Sequence, residues 1–420
     1  MSGALMVWHG EQKVGELYLG ADGRSIGLRH EPTWQQTGVA ISQSLPLSQT
    51  DFPPENGVAH VWFGNLLPEE GSRAALVRRL GVADDDFALL RALGGDCAGA
   101  LRILASSADN QEQSSQVQAQ QEQLRAWASG RERYALMTAE HKQATRLSLA
   151  GAQDKIPIVL TVDDEIYLPQ GGTASSHILK FADKAGIIFN ELCMNTLAAC
   201  VDIPCPETRV LRVDGYAMLA VQRYDRRILG VNRVRIHQED FCQAMAMPRA
   251  QKYQIDRGPD LAKCAALLRR STVAPAKAIQ QLMRWQIFNV LAGNSDGHAK
   301  NLSLLQRDDG RWQLAPSYDL VCTRVLPYDA NLAFAVGDQF NPQQIIKRDW
   351  EAMAKAIAVA PPFLLKQVRQ MAEALQQVVA SESYYELLLQ RGLQHAEWQQ
   401  MQHLRRYINQ QCRKTLKLLS

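Results

Sequence analysis

Asp296 and Asn301, five positions apart within Asn294-Ser295-Asp296-Gly297-His298-Ala299-Lys300-Asn301, have the types and spacing of a phosphoryl-transfer loop. In that chemistry an acid orients the attacking hydroxyl and accepts its proton, while an amide oxygen holds Mg²⁺ beside the phosphates of ATP. Both side chains must converge on one phosphoryl group while the backbone turns sharply, so a short loop containing glycine suits the task. An Asn-Ser-Asp-Gly turn explains the same letters without any chemistry. The other parts of a phosphotransferase must therefore be sought elsewhere in the chain.

A lysine on a strand should neutralise the α- and β-phosphates, and Lys180 closes the apolar run His177-Ile178-Leu179. An edge-protecting charge is the alternative reading of that lysine. An acid on the next helix should hold it in place, and Glu191 opens the helical stretch that follows. A second metal-binding carboxylate should come after the loop and a hairpin; Asp319 in Pro316-Ser317-Tyr318-Asp319-Leu320 fits, with Asp308-Asp309-Gly310 as the turn. Mg²⁺ prefers hard oxygen ligands and keeps several waters, so one carboxylate, one amide oxygen and the nucleotide suffice. The order Lys180, Glu191, Asp296, Asn301, Asp319 is that of a protein kinase. The glycine-rich G-x-G-x-x-G covering loop is missing. In its place Ala150-Gly151-Ala152-Gln153-Asp154-Lys155 offers small residues whose amides can approach anionic oxygens, with Lys155 adding charge. A plain turn is an equally good reading of that run.

The elements that must position these residues follow from periodicity. Residues 1–105 read as β-rich with a helical insert: short strands at Met6-Val7-Trp8, from Lys13 to Leu19 and from Ser25 to Leu28, then helices from Ser72 to Leu80 and Asp86 to Leu93. Residues 106–134 are polar and glutamine-rich and read as a linker, with a surface helix through Leu124 and Trp127. Residues 135–230 return to strands and hairpins, including Thr208 to Val213, an Asp214-Gly215 turn and Tyr216 to Gln222. Residues 231–420 read as helical apart from the loop and its hairpin. Strands first and helices afterwards is α+β, a two-lobed protein-kinase-like fold with an additional N-terminal β-rich subdomain and an all-helical C-lobe.

Composition sets the outer limits. A chain of 420 residues, 46% hydrophobic and 21% charged, is an ordinary globular one, and a net charge of +3 gives little non-specific pull on nucleic acid. The eight cysteines show no C-x-x-C pair, which points to a reducing compartment. No apolar run reaches the length of a bilayer span, and Val7-Trp8-His9-Gly10 breaks any leader-like core, so the expected location is the cytoplasm, with no membrane partner. Lys347-Arg348 and the set Arg405, Arg406, Arg413, Lys414, Lys417 are candidate DNA contacts, although a solvated helix face explains them as well or better.

Taken together, Leu147 to Lys155, the His177 to Lys180 strand, Gln222-Arg223-Tyr224-Asp225-Arg226, His237-Gln238-Glu239-Asp240, Asp296 to Asn301 and Tyr318-Asp319 resemble the HipA family. Asn65-Leu66-Leu67-Pro68 is similar to that family's first subdomain, so the resemblance covers nearly the whole chain. It implies a serine/threonine kinase acting as the toxin of a type II toxin–antitoxin pair, using ATP and Mg²⁺. It implies that Asp296 is the catalytic base, that Lys180 pairs with the nucleotide phosphates, and that Asn301 and Asp319 ligate the metal. It makes Ala150 to Lys155 the phosphate loop, Gln222, Arg223 and Tyr224 the hinge that receives adenine, and His298, Lys300, Asn301 and Tyr318 the border of the nucleotide. Ser148 becomes the autophosphorylation site, where a dianion beside a triphosphate would repel it and silence the enzyme. One departure is Gln222, where a glutamate is usual. The implied partners are a small helix-turn-helix antitoxin and operator DNA, and the implied substrate is an aminoacyl-tRNA synthetase, glutamyl-type first. Two alternatives stay open. Asp296-x-His298-x-x-Asn301 also resembles the loop of phosphoinositide kinases, which would make this a small-molecule or lipid kinase. A non-catalytic antitoxin-binding co-repressor is the other, and the intact Lys180, Asp296, Asn301 and Asp319 speak against it.

Overall fold

Alternating apolar residues broken by tight turns build a first antiparallel sheet. In the computed structural model it comprises β1 (Leu5–His9), β2 (Gln12–Leu19), β3 (Ile26–His30), β4 (Asp51–Phe52) and β5 (Leu101–Leu104), in the order β4-β3-β2-β1-β5. The structure describes residues 3–106, 108–111, 114–129, 155–181, 186–229, 232–327 and 331–419. Leu5, Val7, Val14, Leu17, Ile26 and Leu28 of this sheet form one core with Trp62, Phe63, Phe87 and Leu90. The helix Asp86–Leu93 starts where the Asp85 carboxylate accepts the Ala88 N–H at 2.7 Å, an N-cap worth about 1 kcal/mol.

A second sheet carries β6 (Ser115–Gln118), β7 (Lys155–Leu160), β8 (Ile166–Gln170), β9 (His177–Lys180), β10 (Thr208–Val213) and β11 (Tyr216–Gln222), in the order β10-β11-β9-β7-β8-β6. The Asp214-Gly215 turn has φ of +48° and +84°, the double left-handed geometry that matches strand twist in a two-residue hairpin. Within the glutamine-rich stretch expected as a linker, Ser115–Gln118 is a strand of this sheet. β6 pairs with β8 at its edge, and the helix Gln121–Ala128 buries Leu124 and Trp127 among Ile156, Ile158, Leu168 and Met218. Trp127 is fully buried rather than on a surface helix. The polar letters mask two apolar residues at a spacing of three, enough to fasten a short helix onto an existing sheet.

The chain divides into two units. The first comprises Met1–Asp183, Leu211–Arg249 and Leu304–Gly310, and the second Lys184–Val210, Ala250–Ser303 and Arg311–Ser420. Most of the described residues of the second are helical. Its helix Pro275–Ala292 is buried at nearly every position from Leu282 onward, the pattern of an interior helix, and packs against Pro361–Ala380 and Gln402–Leu419. Helix does not fill everything after Asp240. Residues 245–260 hold only short turns of 3₁₀ type, and the described residues of 326–346 hold no helix. Among the described residues no helix is long and apolar enough to cross a membrane. All eight cysteines are free thiols, and burial pushes Cys97, Cys193, Cys322 and Cys412 up to about 12, so they behave as small hydrophobes.

Candidate active site

Sequence sets the loop by stopping a helix. The helix Pro275–Ala292 closes at Gly293, whose φ of +80° lets its N–H return to the Asn289 carbonyl at 3.0 Å. Asn294 then turns the chain: its side chain holds Asn289 Oδ1 at 3.1 Å and accepts the Asp296 N–H at 3.2 Å. Ser295 donates its N–H to the Thr323 hydroxyl at 2.8 Å. Asn301 donates from Nδ2 to the Asp296 carbonyl at 2.9 Å, which closes the loop across its own width and turns the amide oxygen away from that bond. Gly297 is required by proximity, since a Cβ there would stand 2.5 Å from Asn289 Nδ2 and 3.0 Å from the Trp285 ring. Asn294, Ser295, Gly297, His298, Lys300 and Asn301 are buried while Asp296 is exposed. A carboxyl side chain thus reaches solvent from a hydrogen-bonded frame.

Two further pieces of the second unit join the loop. The Tyr318 hydroxyl meets the Lys300 carbonyl at 2.6 Å and Ser303 Oγ at 2.7 Å, which fixes the position of the next residue, Asp319. Asp319 has φ of +59°, a left-handed conformation that costs a non-glycine residue about 1 kcal/mol and is concentrated at functional sites. Three residues on, Cys322 is held from both sides by Asn190, at 2.8 Å to its N–H and 3.1 Å to its carbonyl. Asn190 and the adjacent Glu191, 1% exposed, lie in the helix Gly186–Cys200, so that helix is tied to the Asp319 segment.

Sequence reasoning missed Tyr253. Its hydroxyl donates to Asp296 Oδ1 at 2.5 Å, its ring stands edge-on to His298 at 5.1 Å, and the preceding Lys252 carbonyl accepts the Ala299 N–H at 3.1 Å. Tyr253 lies 43 residues before Asp296 in an irregular stretch, and no spacing rule points to it.

The first unit holds Lys155, Lys180 and Arg223 of the expected site. Lys155 and Lys180 are direct partners in the β7–β9 ladder, so their side chains leave the same face of the sheet. Lys180 is 5% exposed. At the end of β11, Gln222 is exposed and faces His177, while the Tyr224 hydroxyl donates to Gln238 Oε1. Arg223, expected at the nucleotide, has another task. Its N–H donates to the Ser176 carbonyl at 2.9 Å, and its guanidinium binds Asp225 at 2.7 Å, Asp96 at 3.3 Å, Ser175 at 3.0 Å and the Cys97 carbonyl at 2.9 Å. Arg226 and Arg235 add further ion pairs to Asp96, and the Gly99 N–H donates to Asp225 at 2.7 Å. Despite burial, these cations hold both carboxyls below the usual range, whereas burial and the neighbouring Arg223 bring Arg226 down to about 10. Ser148 and Ala150, Gly151, Ala152, Gln153 and Asp154 lie outside the described residues.

A fold of this kind is that of a protein-kinase-like phosphotransferase. Over residues 147–382 the chain matches the HipA-like C-terminal domain, and over residues 5–104 the HipA N-terminal domain. The chain belongs to the HipA family. It is 35% identical to Y4mE of Sinorhizobium fredii, a protein named as a kinase by inference, over 90% of this chain and 91% of that one. It is 29% identical to the serine/threonine-protein kinase toxin HipA of Shewanella oneidensis, over 88% of this chain and 87% of that one. Among solved structures it is similar to the Shewanella oneidensis MR-1 toxin–antitoxin complex of HipA, HipB and operator DNA, with a TM-score of 0.85 and 25% identity over 99% of this chain and 98% of that one.

Proposed function

We propose that this chain is the ATP-dependent kinase toxin of a type II toxin–antitoxin pair, and that Asp296 is its catalytic base. An acceptor serine or threonine oxygen attacks the γ-phosphorus of ATP, the bond to the β–γ bridging oxygen breaks, ADP leaves, and the hydroxyl proton goes to Asp296. Lys180 and Lys155 draw in the phosphates, with Glu191 positioning Lys180. Gln222 and Tyr224 receive adenine beside Arg223, whose buried ion pairs hold the strand end, and His298, Lys300 and Tyr318 border the nucleotide. Asn301 and Asp319 would hold Mg²⁺, which supplies charge neutralisation at the phosphates. Their donor set, one carboxylate and one amide oxygen, suits a hard cation that keeps waters. Ala150 to Lys155 form the phosphate loop, and phosphorylation of Ser148 silences the enzyme. The observation that carries this reading is the exposed Asp296 on a buried loop braced by Asn301.

The family relation supports a helix-turn-helix antitoxin partner, with operator DNA bound through the complex. Direct DNA contact by the C-terminal helix would fall to the exposed Arg406, Arg413 and Lys417, because Arg405 donates to the Val379 carbonyl at 2.8 Å and covers Trp398, and Lys414 donates to Gln343. The acceptor is an aminoacyl-tRNA synthetase, glutamyl-type first. Incubating the protein with Mg-ATP and a panel of synthetases should label one synthetase, and EDTA should abolish the label. Mass spectrometry of the same mixture should find phosphate on Ser148. No labelled synthetase and no ADP release would remove the enzymatic reading; ADP release with an unlabelled panel would remove only the substrate.

A further inference from the structure

An aromatic hydroxyl already stands on the acid that phosphoryl transfer requires. Tyr253 is reached through an irregular stretch that is itself pinned: the Gln254 N–H donates to the Ala333 carbonyl at 3.1 Å, the Ala335 N–H donates to Gln254 Oε1 at 2.9 Å, and the Ala333 N–H returns to the Ser295 carbonyl at 3.0 Å. The catalytic loop is thereby held on both sides of Asp296, at Ser295 through Ala333 and at Ala299 through Lys252. The Lys252 ammonium lies 5.5 Å from the Tyr253 ring centroid, and His298 meets the same ring at 83°. The ring has a fixed seat, and the hydroxyl at its tip is aimed at Oδ1 of the Asp296 carboxylate.

The geometry points to Tyr253 as a positioning residue for phosphoryl transfer, one that sets the rotation of the Asp296 carboxylate so that it faces the incoming acceptor. This role rests on Asp296 being the base. The last torsion of an aspartate is broad and nearly two-fold, so an exposed carboxylate does not hold one plane by itself. A short O–H···O⁻ bond from an anchored phenol supplies that restraint. Misorientation of a general base by a fraction of an ångström is costly, since rate depends steeply on near-attack geometry.

The test is a kinetic cycle on the full chain, reading ADP formation from Mg-ATP, which requires no knowledge of the acceptor. Tyr253→Phe keeps the ring against His298 and deletes the hydroxyl. It should lower kcat about 10-fold, with KM for ATP and Tm unchanged. In an Asp296→Asn background the same change should cost nothing more, because the group through which it acts is gone. A silent Tyr253→Phe, a proportional loss in both backgrounds, or a loss carried by KM or Tm would each overturn the assignment. The underlying reading fails separately: it falls if Asp296→Asn alone keeps the wild-type rate, and Tyr253 then loses its role with it. A large Asp296→Asn loss with a silent Tyr253→Phe overturns only the positioning role.

Discussion

Aspartate is put to opposite uses in two regions of this molecule. Around Asp96 and Asp225, carboxylates and the guanidiniums of Arg223 and Arg226 are withdrawn from water together, and each charge meets its opposite within about a hydrogen-bond length. At Asp296 the frame is buried and the carboxylate is not. In the first region matched charges lock the end of β11 to the Asp96–Gly99 loop, and the acids are held ionised with no proton to exchange. In the second, the backbone is rigid but the acid keeps access to whatever approaches from solvent. Residue type does not separate a strut from a reagent; burial and the identity of the partners do. Glu239 stands between them. It is as deeply buried as Asp225 but is bonded by neutral donors, the Ser42 hydroxyl at 2.5 Å, the Gln43 N–H at 3.1 Å and the Trp62 indole at 3.1 Å, and burial raises it to about 7.

Three substitutions break or sharpen this contrast. Asp296→Asn should lower turnover by about 10²–10⁴-fold, the usual share of a general base, while calorimetry shows Tm nearly unchanged. A variant that melts early but turns over normally would reverse the two roles. Asp225→Asn should do the opposite, costing about 3–5 kcal/mol of stability by leaving Arg223 and Arg226 short of a counter-charge, with kcat close to wild type below the new melting point. Urea titration measures the loss, and a value under about 1 kcal/mol would show that the network is not a strut.

The smallest effect concerns Glu239 and depends on pH. Its carboxyl titrates near 4.5 when unfolded and about 7 when folded. Below the unfolded value both states carry the proton and the stabilisation is complete. As pH rises toward the folded value the native state alone retains the proton, so stability falls, by about 3 kcal/mol in all, and levels off above it. Glu239→Gln should flatten that decline between pH 5 and 8 relative to the parent. Parallel stability curves for the two proteins would remove Glu239 as its source.

Much of this was legible in the letters. The Asp296 to Asn301 spacing, the helix before it and the strand Ser303–Gln306 after it follow from local periodicity and a glycine cap. The β10–β11 hairpin follows from Asp214-Gly215. What escaped was set by tertiary partners. Tyr253 joins the loop only because an irregular segment is pinned through Ala333, and irregular segments carry no period. Arg223 is expected at the nucleotide, yet its guanidinium turns inward because Asp96 awaits it from 127 residues away. The Lys155–Lys180 apposition depends on register, which two separated lysines do not declare.

The seat of Trp127 beneath the second sheet carries a practical consequence for dissecting the gene. A truncation that discards residues 106–129 as though they were a tether would strip a strand from one margin and uncover Ile156, Ile158 and Met218 beside it. Such a fragment should precipitate. Shortened forms that begin upstream of Ser115 would keep the lid on that oily flank.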